Sequence, residues 1–204
     1  MTIKEITISA AGYLGREDII EYLENHTFES GEEPRLKKEI NILNRCANLT
    51  INRLATEYVP IKTIESVRSV NGKITYASLQ NNVLDVLSVY DYYDNKISFR
   101  LYPLYIKTKP EAVKIEYTFI PVKYEAAQNI AYSEKDVPAR VIAYGVAAEW
   151  CMISGDYDEG RIWDKRFKES AENVSAQLVI RPTAVFRHAS VTVAARMTRP
   201  GAPR

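Results

Sequence analysis

The sequence predicts an α+β fold, and three observations predict it. A long amphipathic helical pattern precedes a block of alternating strands. A second pair of helical patterns follows that block. The strands are not interleaved one by one with helices, so parallel βαβ units are not expected. The expected organisation is one α+β domain over residues 1–178, with helices at 16–24 and 34–58, strands within 61–124 and a helix hairpin at 137–178. A basic, extended tail at 179–204 completes it.

Each element has a local reason. In Arg16 to Glu24, the acids Glu17 and Asp18 open the segment, where they suit the positive end of a helix dipole. The polar stretch Asn25 to Glu33 contains Gly31 and predicts a loop. Pro34 then opens a helix, since its missing N–H does no harm in a first turn. Leu36, Ile40, Leu43, Ala47, Ile51, Leu54 and Tyr58 follow at spacings of three or four, which puts them on one face. Pro60 ends the run and biases Val59 toward extended backbone.

From Ile61 onward the period changes. Ile64 to Val70 and Lys73 to Leu79 flank Asn71-Gly72, a pair that favours the positive φ angles of a tight hairpin. Val83 to Tyr93 and Ile97 to Tyr102 flank Asp94-Asn95 and predict a second hairpin. Ala112 to Ile120 alternates Val113, Ile115, Tyr117 and Phe119. Pro103, Pro110 and Pro121 fall at strand edges, where proline breaks no ladder. About five antiparallel strands, in one sheet or a small barrel, are expected.

Ser133 to Asp136 resembles a capping box with Asp in the final place. The following helix is rich in small residues (Ala143, Gly145, Ala147, Ala148), which permit close approach of a neighbour, and it ends near Ser154-Gly155. Asp156 caps the next helix, whose apolar stripe is Trp163, Phe167, Ala171, Val174 and Leu178. A very short turn makes the two an antiparallel pair.

Composition narrows the function. The net charge is +1, which by itself points neither to a nucleic-acid binder nor to a membrane-surface binder. From Gln177 to the end there are five arginines and no acid, so the remaining residues carry −4. A basic arm on a mildly acidic body is the pattern of an interaction segment. No apolar run is long enough to span a bilayer, and Met1 to Gly15 does not have the form of a signal peptide. Cys46 and Cys151 are too few for a disulfide framework and sit in helical, apolar surroundings, as reduced core cysteines do.

Catalytic and cofactor patterns are missing from the sequence. His26 and His188 are isolated, and there is no nucleophile elbow, phosphate loop, dinucleotide fingerprint or zinc-binding helix motif. The reading is therefore a non-enzyme without cofactor or metal. Asp91 and Asp94 suit turn chemistry, and Asp156, Asp158 and Glu159 suit a helix start.

The tyrosines are the most unusual feature: fourteen, against five Phe and two Trp. Many cluster in and after the strands. They admit three readings. Tyr90, Tyr92, Tyr93, Tyr102 and Tyr105 are candidates for a subunit interface, because tyrosine supplies large area with a polar tip. Ordinary core packing is the second reading, and base stacking on nucleic acid is the third.

Three stretches together resemble phage head–tail connector (adaptor) proteins, including the tail tubular and lower-collar proteins of podoviruses. They are LKKEINILNRCANLTINRLATEYVPI (36–61), the strand block with VYDYYDNKISF, and the helix pair AYGVAAEWCMISGDYDEGRIWDKRFKESAENV (143–174). The resemblance implies a virion protein made in the host cytoplasm. It would form a homo-oligomeric ring, commonly of twelve, in the neck below the portal vertex. Its partners would be the portal protein above, a tail, stopper or nozzle protein below, and double-stranded DNA passing through its channel without sequence-specific binding. It also implies a C-terminal segment that reaches the portal, which makes Arg181, Arg187, Val191, Val193, Arg196 and Arg199 portal-interface candidates, with Val191-Thr192-Val193 able to add a strand to a portal sheet. A stopper or tail-terminator protein, richer in β structure, and a non-viral α+β binding domain remain as alternatives.

Overall fold

The structure is a computed structural model that describes the backbone of residues 1–25, 33–109 and 112–193, with side chains toward the C-terminus as far as Val179. Its described residues form five α-helices and seven strands: α1 (Ile3–Tyr13), α2 (Glu17–Asn25), α3 (Glu33–Arg53), β1 (Ile61–Arg68), β2 (Lys73–Thr75), β3 (Asn82–Tyr90), β4 (Lys96–Ile97), β5 (Arg100–Leu101), β6 (Tyr105–Lys107), β7 (Ala112–Ile120), α4 (Ala139–Ser154) and α5 (Tyr157–Val193). The α+β class and the helix–sheet–helix order are as expected.

The helix α1 was not anticipated, although Thr2-Ile3-Lys4-Glu5 carries its signature. Thr2 Oγ1 accepts from the Glu5 N–H at 3.2 Å, and Glu5 Oε2 accepts from the Thr2 N–H at 2.9 Å, a reciprocal capping box. Ile3, Ile6, Ala10 and Ala11 bury the inner face of this helix.

The long helix α3 stops being regular at Leu54, where a π-helical turn runs to Tyr58 and the Val59 N–H donates to the Leu54 carbonyl at 2.7 Å. This wider turn delivers Val59 and Ile61 into the helical core just before β1 begins. Tyr132, from the segment after β7, donates its hydroxyl to the Val59 carbonyl at 2.6 Å. Asn48 on α3 clamps the same returning segment, accepting from the Tyr124 N–H at 2.7 Å and donating to the Tyr124 carbonyl at 3.1 Å.

The strands form two antiparallel sheets rather than one. The larger has the order β1-β7-β3-β4 and the smaller β2-β6-β5. The Asn71-Gly72 turn forms as expected, with φ of 54° and 72°, and Val70 and Lys73 exchange both backbone hydrogen bonds. Its two strands then part. β1 pairs with β7 over eight residues, whereas β2 pairs with β6. The cause lies at the turn: the Thr108 N–H donates to the Gly72 carbonyl at 2.9 Å, drawing β2 onto β6. A Cβ on residue 72 would lie 2.8 Å from the Thr108 carbonyl, so only glycine permits that approach. The Asp94-Asn95 turn also forms, but its hairpin is only two pairs long, Tyr90 with Lys96 and Val89 with Ile97; the expected return strand 97–102 breaks there, and Arg100–Leu101 joins the smaller sheet. Between the sheets lies a separate core of Ile74, Val86, Val89, Ile106, Ile115 and Tyr117.

The helix hairpin sits where it was expected. The Ser133–Asp136 motif closes a turn ahead of the helix instead of capping it. Glu134 Oε1 accepts from the Ala139 N–H at 3.0 Å and takes over the capping role. α4 packs against α1, α3 and α5. At its closest approach to α3, a Cβ on Gly145 would lie 2.3 Å from Thr50 Cγ2, so the small-residue pattern has the meaning expected of it. Cys46 and Cys151 are buried and free, and burial pushes their thiols up to about 12 and about 11.

One expectation is corrected at the C-terminus. The backbone of α5 stays helical past Leu178 to Val193, so residues 179–193 are not extended and Val191–Val193 lie in helix rather than strand. Residues 194–204 lie outside the described residues.

Candidate subunit interface

The five candidate tyrosines separate into three settings. Tyr90, on β3, is half-buried and donates to Glu116 Oε2 at 2.8 Å, so it serves the sheet. Tyr92 and Tyr93, on the β3–β4 turn, are 78% and 80% exposed. They meet edge to face with ring centroids 5.5 Å apart. The turn beneath them is tightly held. Asp91 Oδ1 accepts from the Tyr93 and Asn95 N–H groups, each at 2.9 Å, and Asp91 Oδ2 accepts from Asn95 Nδ2. These bonds, led by the Asn95 N–H, hold the Asp91 carboxyl below its ordinary range. Asp94, with φ of 62°, accepts from Lys114 Nζ at 2.7 Å. Two large rings thus stand outward on a rigid base, an arrangement that loses little entropy on binding.

Tyr102 and Tyr105 form the third setting. Their rings stack 4.7 Å apart at 15° on the smaller sheet, and the Lys73 ammonium lies 4.9 Å from the Tyr105 ring centre. Both are half-buried and already satisfied by each other. The β5–β6 turn also exposes Leu104.

A second apolar group, not foreseen as a site, lies at the tip of the helix hairpin. Met152 and Ile153 at the end of α4 and Tyr157 at the start of α5 are all exposed. Just inside the tip, Tyr13, Tyr144 and Trp163 pack as three rings with centroids 5.1 to 5.8 Å apart, joining α1, α4 and α5. The exposed pair Met152-Ile153 is legible in the sequence as apolar residues just before the Gly155 stop.

The carboxylates weighed earlier have structural partners. Besides Asp91 and Asp94, Asp158 pairs with Arg161 and Glu159 accepts from Trp163 Nε1, while at Asp156 it is the backbone carbonyl, accepting from the Gly160 N–H, that opens the helix. Of the portal-interface candidates, Arg181, Arg187, Val191 and Val193 lie on the helical backbone of α5, and Arg196 and Arg199 lie outside the described residues. No helix among the described residues is long and apolar enough to cross a membrane. No protein-family model matches the chain, and a comparison with curated proteins gives no match.

Proposed function

We propose that this chain is a structural subunit of a phage neck, a head–tail connector that closes into a ring on the portal and passes DNA to the tail. The observation that carries the reading is the pair of unlike apolar surfaces. One is the tyrosine tip on the larger sheet (Tyr92, Tyr93), and the other is the tip of the helix hairpin (Met152, Ile153, Tyr157). A ring needs heterologous contacts, in which two different patches meet and the rotation closes. Exposed apolar groups on a well-packed body are the usual mark of such contacts. Among the described residues helix outweighs strand, about 51% against about 23%, a balance that favours a connector over a β-rich stopper or tail terminator.

Mass photometry of the purified chain, alone and with the portal protein of the same phage, tests the proposal. The expected result is a monomer or loose oligomer alone and a closed ring on the portal. A stable dimer that ignores the portal overturns it.

A further inference from the structure

The smaller sheet carries a charge pattern to which the connector reading, although it includes the passage of DNA, assigns no contact. Lys73 on β2, Lys107 on β6 and Arg100 on β5 are direct cross-strand partners, so one row of three cations crosses all three strands on one face. All three are exposed. Adjacent strands lie about 4.8 Å apart, so the row spans roughly 10 Å. Lys109 lines one open hollow with Arg100 and Lys107. Among the described residues, none of these four pairs with a carboxylate. The surrounding sequence has the same bias: residues 71–84 and 95–109 hold Lys73, Lys96, Arg100, Lys107 and Lys109 and no acid, in a chain whose net charge is only +1.

Like charges placed directly opposite weaken a sheet. A row that does so, without interleaved acids, suits a continuous polyanion better than a protein surface of mixed charge. We infer that the outer face of the smaller sheet binds the phosphate backbone of double-stranded nucleic acid, without reading sequence. A duplex places phosphates on both walls of a minor groove about 6 Å wide, within reach of long cationic side chains set on a roughly 10 Å row. The aromatic pair argues for a duplex over a single strand. Tyr105 is engaged by the stacked Tyr102 ring and by the Lys73 ammonium, so its ring holds a cation in place rather than standing free for an unpaired base.

This inference does not rest on ring formation. It is tested by fluorescence anisotropy of the full chain with a short labelled duplex of mixed sequence, between about 50 and 200 mM salt. The variant K73Q/R100Q/K107Q, checked for an unchanged thermal melt, is expected to lose about tenfold or more in affinity at the lowest salt. Its salt slope should fall by about 2 to 3, close to one per phosphate contact. The variant R181Q/R187Q should keep most of the slope. Absence of wild-type binding at the lowest salt, an unchanged slope in the triple variant, or loss of the slope only in the tail variant overturns the inference. Equal affinity for polyglutamate also overturns it, in favour of an acidic protein partner. Duplex binding by a chain that never assembles on portal would defeat the connector reading alone.

Discussion

At the scale of single residues, the contact between α3 and α4 is the most demanding. Thr50 and Gly145 meet there, and the Thr50 hydroxyl is buried with no partner among the described residues. Gly145→Ala forces a methyl group into space held by Thr50 and Phe167, and a loss of about 1–3 kcal/mol in urea unfolding is expected. Thr50→Val keeps the shape and removes the unpaired hydroxyl, so the same titration should show unchanged or raised stability, by up to about 1 kcal/mol. Trp163 is nearly buried and touches Tyr13, Tyr144 and Arg166, and Trp163→Ala should cost about 3–5 kcal/mol. Gly145 and Trp163 were legible as a small-residue site and an apolar-stripe anchor. The partner Thr50 was not, because a threonine inside a helix gives no sign of which neighbour it will meet.

Between elements, ion pairs lock the helices at two places. Arg16 bonds Asp18 at 2.7 Å and also reaches Glu39 on α3. Arg53 bonds Asp164 on α5 at 2.8 Å, and Lys168 supports the same carboxylate. The Arg16 hydrogen bond holds Asp18 below its ordinary range. Burial opposes ionisation of Asp164, but Lys168 and Arg53 outweigh it and hold that carboxyl low as well. Carboxyls depressed in the folded state stabilise it above their unfolded pKa, near 4, and the benefit fades as pH falls through the folded value. Thermal melts should therefore drop between about pH 5 and pH 2, and Asp164→Asn should show a smaller drop than the parent. The partial exposure of these pairs keeps the effect modest.

The same scale governs the end of α5. Among the described side chains of α5, which end at Val179, Val174 is the last in the core, Leu178 packs partly and Val179 is exposed. Truncation after Leu178 should lower helical ellipticity, because residues 179–193 are helical, yet leave the melting temperature within a few degrees. Under the connector reading, portal docking should fall sharply. Undiminished docking would remove the role assigned to Arg181 and Arg187.

For the whole molecule, Phe119 packs against both the helical core and the core between the sheets, and a third, small cluster of Ala147, Ala148, Cys151 and Trp163 lies at the helix hairpin. The surfaces proposed for assembly sit one on each part: the tyrosine tip on the strands and the apolar tip on the helix hairpin. Tyr92→Ser with Tyr93→Ser should leave the melt unchanged, since both rings stand in solvent, while blocking ring closure on portal in mass photometry. An unchanged ring would move the interface elsewhere.

Periodicity and turn chemistry were enough to place the helices at 16–24 and 34–58, the β7 strand, the Asn71-Gly72 and Asp94-Asn95 turns and the α4–α5 hairpin. Each depends on residues within a few positions of one another, and the backbone satisfies them locally. The partition of the strands into two sheets was not decided locally. It depends on Thr108 meeting Gly72 across 36 residues, and on β7 arriving to separate β1 from β3. The same holds for the basic row: Lys73, Arg100 and Lys107 are scattered in sequence and become neighbours only because β2, β6 and β5 pair in that register. Local preference acts over one turn or one hairpin, whereas strand order and cross-strand register follow from which buried faces complete a common core.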